Sequence, residues 1–138
     1  MSGQEWVVEA HGCDAAALAD PEKLRALFAR IVEALALRPV QETAWHQFPY
    51  TGGITGLSLL AESHLACHTF PEYRSLCLNL FCCRPRPEWD FAADLKREFA
   101  ASTVHVRRIE RPYQDEPHSK PTRRELSELR SADPVSLV

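Results

Sequence analysis

The chain has 138 residues, 45% of them hydrophobic and 25% charged, with a net charge of −3; this suffices for one domain with its own core and is short for two. The faintly acidic balance lacks the basic footprint of a nucleic-acid or anionic-membrane binder and directs attention to small-molecule or protein partners. The opening MSGQEWVVEAHGCD has no basic stretch ahead of an apolar run, and no segment approaches bilayer-spanning length, so a cytoplasmic location is expected.

In chain order, QEWVVEA (4–10) predicts a first strand and HGCD (11–14) a turn. Asp20 as N-cap, Pro21 at the first helical position, and Leu24, Leu27, Phe28, Ile31, Val32 and Leu35 at three-and-four spacing predict an amphipathic helix over 21–36. VQETAWHQF (40–48) reads as a strand, PYTGG (49–53) as a turn and ITGLSLLA (54–61) as the returning strand of a hairpin. In SLCLNLFC (75–82), strict alternation puts Leu76, Leu78 and Leu80 on one face and Cys77, Asn79, Phe81 and then Cys83 on the other. RPRPEW (84–89) is a loop, Asp90 caps a helix carrying Phe91, Leu95 and Phe99, and TVHVRRI (103–109) is a closing strand. Helices placed between groups of hairpin-like strands predict an α+β two-layer sandwich, an antiparallel sheet with helices on one face. The domain would occupy 1–111. Residues 112–138, rich in proline and charge, read as a polar, solvated, flexible C-terminal tail, with a short helix at an interface formed by RRELSELR (123–130) as the alternative.

The five cysteines are odd in number and none pair in CxxC spacing, so reduced, metal-free thiols are expected. The densest polar chemistry lies in ESHLACHTFPE (62–72). His64, His68 and Glu72 at successive i+4 spacing would share a helix face and could hold zinc, although Pro71 opposes a continuous helix and HExxH is absent. Ser63 beside histidines could instead be an activated nucleophile, although no GxSxG elbow is present. A third reading leaves these side chains satisfying backbone groups at a strand end, the only role assigned to His11, His64 and His105.

Three blocks, HGCD (11–14), AESHLACHTFPEY (61–73) and LNLFCC (78–83), in this order and spacing, resemble the bacterial and archaeal S-adenosylmethionine decarboxylase family over about residues 5–110. The resemblance implies self-cleavage between Glu62 and Ser63, with Ser63 converted to a pyruvoyl cofactor and neither metal nor PLP required. Ser63 Oγ would attack the Glu62 carbonyl, an N-to-O acyl shift would give an ester, and β-elimination followed by hydrolysis would leave the pyruvoyl group. Its ketone would take the substrate amine as a Schiff base and act as electron sink for decarboxylation, a step towards spermidine.

By the same resemblance, His68 is the acid/base of processing, the Thr55 hydroxyl assists the intermediate, and Cys83 returns a proton to the substrate α-carbon. Glu72 would accept from the ribose hydroxyls, and Phe48 and Phe70 would sandwich adenine. The protomer is expected to dimerise into a four-layer αββα arrangement with active sites between the sheets. The family pattern TWPEYGYAxxDxFTCG is here TFPEYRSLCLNLFCCR, placing Phe70 for Trp, Arg74-Ser75-Leu76 for Gly-Tyr-Ala, Asn79 for Asp, and Cys82-Cys83-Arg84 for Thr-Cys-Gly. Better retention of processing than of pocket residues keeps two alternatives open: a pyruvoyl-dependent ornithine or arginine decarboxylase of the same fold, and an unprocessed, non-enzymatic binding or regulatory homologue.

Overall fold

A computed structural model describes residues 2–115 and 120–131. The elements are β1 (Ser2–His11), α1 (Ala15–Leu18), α2 (Pro21–Ala34), β2 (Ala44–Gln47), β3 (Ile54–Leu60), β4 (Ser63–Phe70), a 3-10 turn (Pro71–Tyr73), β5 (Ser75–Cys82), α3 (Phe91–Phe99), β6 (Thr103–Pro112) and α4 (Arg123–Ser131). The strands form one six-stranded sheet in the order β2-β3-β4-β5-β1-β6, every neighbouring pair antiparallel. The expected α+β layering is therefore present. Strand β1 runs between β5 and β6, so the amino-terminal strand is internal to the sheet.

Period-two alternation divides the sheet into two faces. Trp6, Val8, Ala10, Leu65, Cys67, Leu76, Leu78, Leu80 and Cys82 are buried with the apolar faces of α1–α3. Asp20 caps α2 through the Glu22 N–H, and of the predicted stripe Leu24, Leu27, Phe28 and Ile31 are buried on α2, Leu35 is buried at its C-cap and Val32 is partly exposed. Asp90 likewise caps α3 by accepting from the Ala93 N–H. Asp94, buried on α3, joins the helices: Arg30 Nε and Nη2 of α2 donate to its two oxygens at 2.7 and 3.0 Å, and Arg97 adds a contact at 3.0 Å. A buried carboxylate forked by arginine offsets its desolvation through charge-assisted bonds.

Several boundaries differ from the sequence expectation. Helix α1, capped by the Asp14 side chain on the Ala17 N–H, was not foreseen within AAAL. The strand expected over 40–48 is confined to Ala44–Gln47, at the sheet edge, where one side has no pairing partner among the described residues. Residues 63–70, left without an element, form β4, hydrogen-bonded on both sides to β3 and β5. In the tail, Arg123–Ser131 is helical and its side chains are exposed; the expectation for 116–119 and 132–138 lies outside the described residues.

Candidate active site

Among the described residues, no helix packs on the second sheet face. Thr55, Leu57 and Leu59 of β3, His64, Ala66, His68 and Phe70 of β4, and Cys77, Asn79 and Phe81 of β5 share it by register. Towards its far edge Glu9 pairs with Arg107 and Glu5 with Arg111, whose guanidinium lies over the Phe81 ring. Asn79 Oδ1 lies 2.7 Å from His64 Nε2, so the residue replacing the family aspartate holds this imidazole by a neutral acceptor. Strand geometry also removes the helix on which a His64/His68/Glu72 zinc face depended. Among the described residues, no three His, Cys, Asp or Glu side chains converge on a metal position.

At one end of β4, a cleft of about 570 Å³ is lined by Phe48, Pro49, Tyr50, Thr51, Thr55, His68, Thr69, Phe70 and Glu72. Five of the residues singled out from sequence, Phe48, Thr55, His68, Phe70 and Glu72, thus meet in one place. Cross-strand pairing explains the central contact: Thr55 lies opposite His68, and Thr55 Oγ1 is 3.1 Å from His68 Nδ1. That bond orients the ring and leaves Nε2 for a reacting group. Phe48 and Phe70 remain well exposed, and His46 meets the Phe48 ring edge-on at 4.7 Å.

The floor of the cleft rests on Thr69, whose hydroxyl accepts from the Ile54 N–H and donates to the Leu18 carbonyl, each at 2.8 Å. The turn from Phe48 to Gly53 closes by Gly52 N–H to Phe48 C=O (3.0 Å) and Phe48 N–H to Gly53 C=O (2.8 Å). Gly52 takes φ +76°, and a Cβ on Gly53 would stand 2.7 Å from the Thr69 carbonyl oxygen, so this wall needs both glycines. Arg74, standing where the family pattern has Gly, adopts φ 50° after the 3-10 turn that carries Glu72. An arginine there keeps the left-handed turn at a cost of about 1 kcal/mol.

At the opposite end of β4 lies the Glu62–Ser63 peptide. Ser63 has φ 151°, a sparsely populated region for a side-chain-bearing residue, so the junction stores strain. The Glu62 carbonyl oxygen accepts from the Cys83 N–H at 2.8 Å, a fixed dipole aimed at the oxygen that would carry charge on attack. Tyr113 O–H in turn donates to the Cys83 carbonyl. The Glu62 side chain, only 2% exposed, accepts from the Arg38 N–H (3.2 Å) and Nε (3.3 Å) and lies 3.6 Å from Arg86. Burial pushes its pKa up, but the Arg38 hydrogen bonds and the Arg86 charge outweigh this and hold it below the usual carboxylate range. Arg38, Arg86 and Tyr113 were not legible as site residues, because each reaches the junction from a distant loop or strand end.

The two adjacent cysteines are distinct. Cys82 faces the core, where burial pushes its thiol up to about 11, whereas Cys83 lies at the sheet's end and is half-buried. Ser63, Glu62 and Cys83 therefore form one cluster, and Thr55, His68, Phe48, Phe70 and Glu72 another. Ser63 and His68 stand five residues apart on β4, about 16 Å at strand rise.

Fold and site together define an antiparallel α+β protein with a strained serine junction at one end of a strand and a histidine-lined cleft at the other. In architecture the chain is similar to the adenosylmethionine decarboxylase of Aquifex aeolicus, with TM-score 0.68 and 22% identity, covering 86% of this chain and 98% of that one. The family model described as S-adenosylmethionine decarboxylase matches residues 4–112. The S-adenosylmethionine decarboxylase proenzyme of Pyrococcus furiosus is 33% identical over 116 residues, 83% of this chain and 81% of that protein. The proenzyme of Moorella thermoacetica is 33% identical over 111 residues, 79% and 86% of the two chains. The chain belongs to the S-adenosylmethionine decarboxylase family.

Proposed function

We propose that this protein cuts itself between Glu62 and Ser63, converts Ser63 to a pyruvoyl group, and decarboxylates S-adenosylmethionine. The observation carrying the proposal is the junction itself, in which Ser63 is strained at φ 151° while the Glu62 carbonyl is polarised by the Cys83 N–H. Attack of Ser63 Oγ on that carbonyl relieves the strain, and the N–H stabilises the developing oxyanion. These residues suit formation of a pyruvoyl group at position 63, which supplies a carbonyl electron sink for loss of CO2. The chain's own groups bind and move protons. Glu72 accepts from sugar hydroxyls and faces a cationic sulfonium, Phe48 and Phe70 present ring faces to adenine, His68 accepts and returns protons at Nε2, and Cys83 protonates carbon.

The 16 Å span between Ser63 and His68 far exceeds the reach of a proton transfer, about 3 Å. A second copy supplies the missing half. With Leu57 53% and Leu59 50% exposed on the helix-free face, two such faces packed about a two-fold axis cover the patch in a four-layer αββα homodimer. Antiparallel stacking then sets the Ser63 end of one protomer against the His68 cleft of its partner. Intact mass under denaturing conditions tests processing: wild type is expected as two chains, 1–62 and 63–138, and Ser63→Ala as one. CO2 release is then assayed from S-adenosylmethionine, ornithine and arginine; activity confined to an amino acid would overturn the substrate assignment.

A further inference from the structure

The corner around Glu62 carries unequal charge. One buried carboxylate faces two guanidinium groups, Arg38 and Arg86. Arg38 is largely in solvent, whereas the Arg86 side chain is 19% exposed and its Nε is buried with no hydrogen-bond partner among the described residues. The loop is pinned here, because the Arg86 N–H donates to the Gln4 side-chain oxygen at 3.1 Å and Gln4 is itself buried. A buried N–H of a permanent cation is costly to leave unpaired, so this donor beside Glu62 suits a further acceptor formed at the same corner.

Processing creates such a partner. When the ester collapses, the α-proton of residue 63 passes to a base and the Cα–H bonding electrons form the Cα=Cβ bond of dehydroalanine. The bond from Oγ to Cβ breaks, and Oγ leaves with that electron pair as part of a new α-carboxylate on Glu62. Hydrolysis of the dehydroalanine then releases ammonia, and the corner holds two carboxylates for two guanidinium groups. Resting on the self-cleavage reading above, we infer that Arg86 is the positioning residue that receives the departing Glu62 α-carboxylate, with Nε as its unused donor, and so favours elimination of the ester. The Cys83 N–H polarises the carbonyl during attack; Arg86 serves the later step, when the same carbon becomes a full anion. A planar fork suits a carboxylate that turns to accept a second bond.

The test is a time course of processing in freshly folded full-length chains, read by intact mass with and without hydroxylamine, which cleaves an ester but spares an amide. Arg86→Gln is expected to complete processing at least about tenfold more slowly, in line with loss of one preorganised donor to a developing charge, and to accumulate a hydroxylamine-sensitive ester. Arg86→Lys is expected to recover part of the rate. Because Arg86→Gln also leaves Glu62 short of a cation, the double variant Glu62→Gln/Arg86→Gln removes both charges and serves as the folded control. It is expected to accumulate ester as well. Wild-type processing in that double variant, or an Arg86→Gln chain stalled wholly as hydroxylamine-resistant amide, overturns the inference and reduces Arg86 to a counter-ion for the Glu62 side chain. Failure of wild type to process at all instead overturns the reading on which the inference rests.

Discussion

If each active site combines Ser63 of one protomer with His68 of the other, two dead variants should rescue one another. Ser63→Ala lacks the nucleophile and His68→Ala the acid/base, so neither is expected to process alone. In a mixed dimer, the His68→Ala protomer keeps Ser63 and meets an intact His68 on its partner, while the second site lacks both groups. The 16 Å spacing along β4 makes the outcome quantitative, because no rotamer of His68 reaches its own Ser63. Co-expressed in equal amounts, two variants in a two-fold dimer place about half of the His68→Ala chains in mixed pairs. About half of those chains should therefore be cut and none of the Ser63→Ala chains, which a small mass tag on one variant resolves by intact mass. Cleavage of His68→Ala alone at the wild-type rate, or no cleavage in the mixture, would refute the shared-site geometry.

Cys83→Ala should still process, since the polarising donor is backbone N–H, yet lose about 100-fold in kcat for S-adenosylmethionine; an unchanged kcat removes Cys83 from the proton-donor role. Thr69→Val, made in the Ser63→Ala background so that a single chain unfolds, leaves the Ile54 N–H and Leu18 C=O without their partner and should cost about 3 kcal/mol by urea denaturation. Thr69→Ser should restore most of it. Because the folded pKa of Glu62 is depressed, its stabilisation is present above the ordinary value of 4.5 and lost as pH falls through the depressed one. Acid melts of the Ser63→Ala chain should therefore steepen below about pH 4.5, and Glu62→Gln should flatten that slope.

What could be read from sequence was what short-range pattern controls. The α2 stripe, the Asp20 and Asp90 caps and the β5 alternation each depend on neighbours a few residues away, and all appear as expected. Strand β4 was missed because SHLACHTF mixes two histidines and a serine with small apolar residues and carries Thr69 as its single β-branched side chain. Its extended form comes from ladders on both sides, which no local window contains. Likewise, the cleft residues were found as a motif, whereas Arg38, Arg86 and Tyr113 meet Glu62 and Cys83 only through tertiary structure. The motif also concealed a separation: Ser63 and His68 look adjacent in text but occupy opposite ends of one strand.

The placement of β1 has a further consequence. Cutting after Glu62 assigns β1, β2 and β3 to the first chain and β4, β5 and β6 to the second, yet β1 lies between β5 and β6 in the sheet. If the chain is cut there, each mature protomer is a woven pair of segments that cannot part without tearing out an internal strand, and the proposed homodimer holds two such pairs. Unfolding of each such protomer would release two molecules where the precursor protomer released one. Refolding thereby becomes concentration-dependent, and the uncut chain serves as the assembly template that maturation discards.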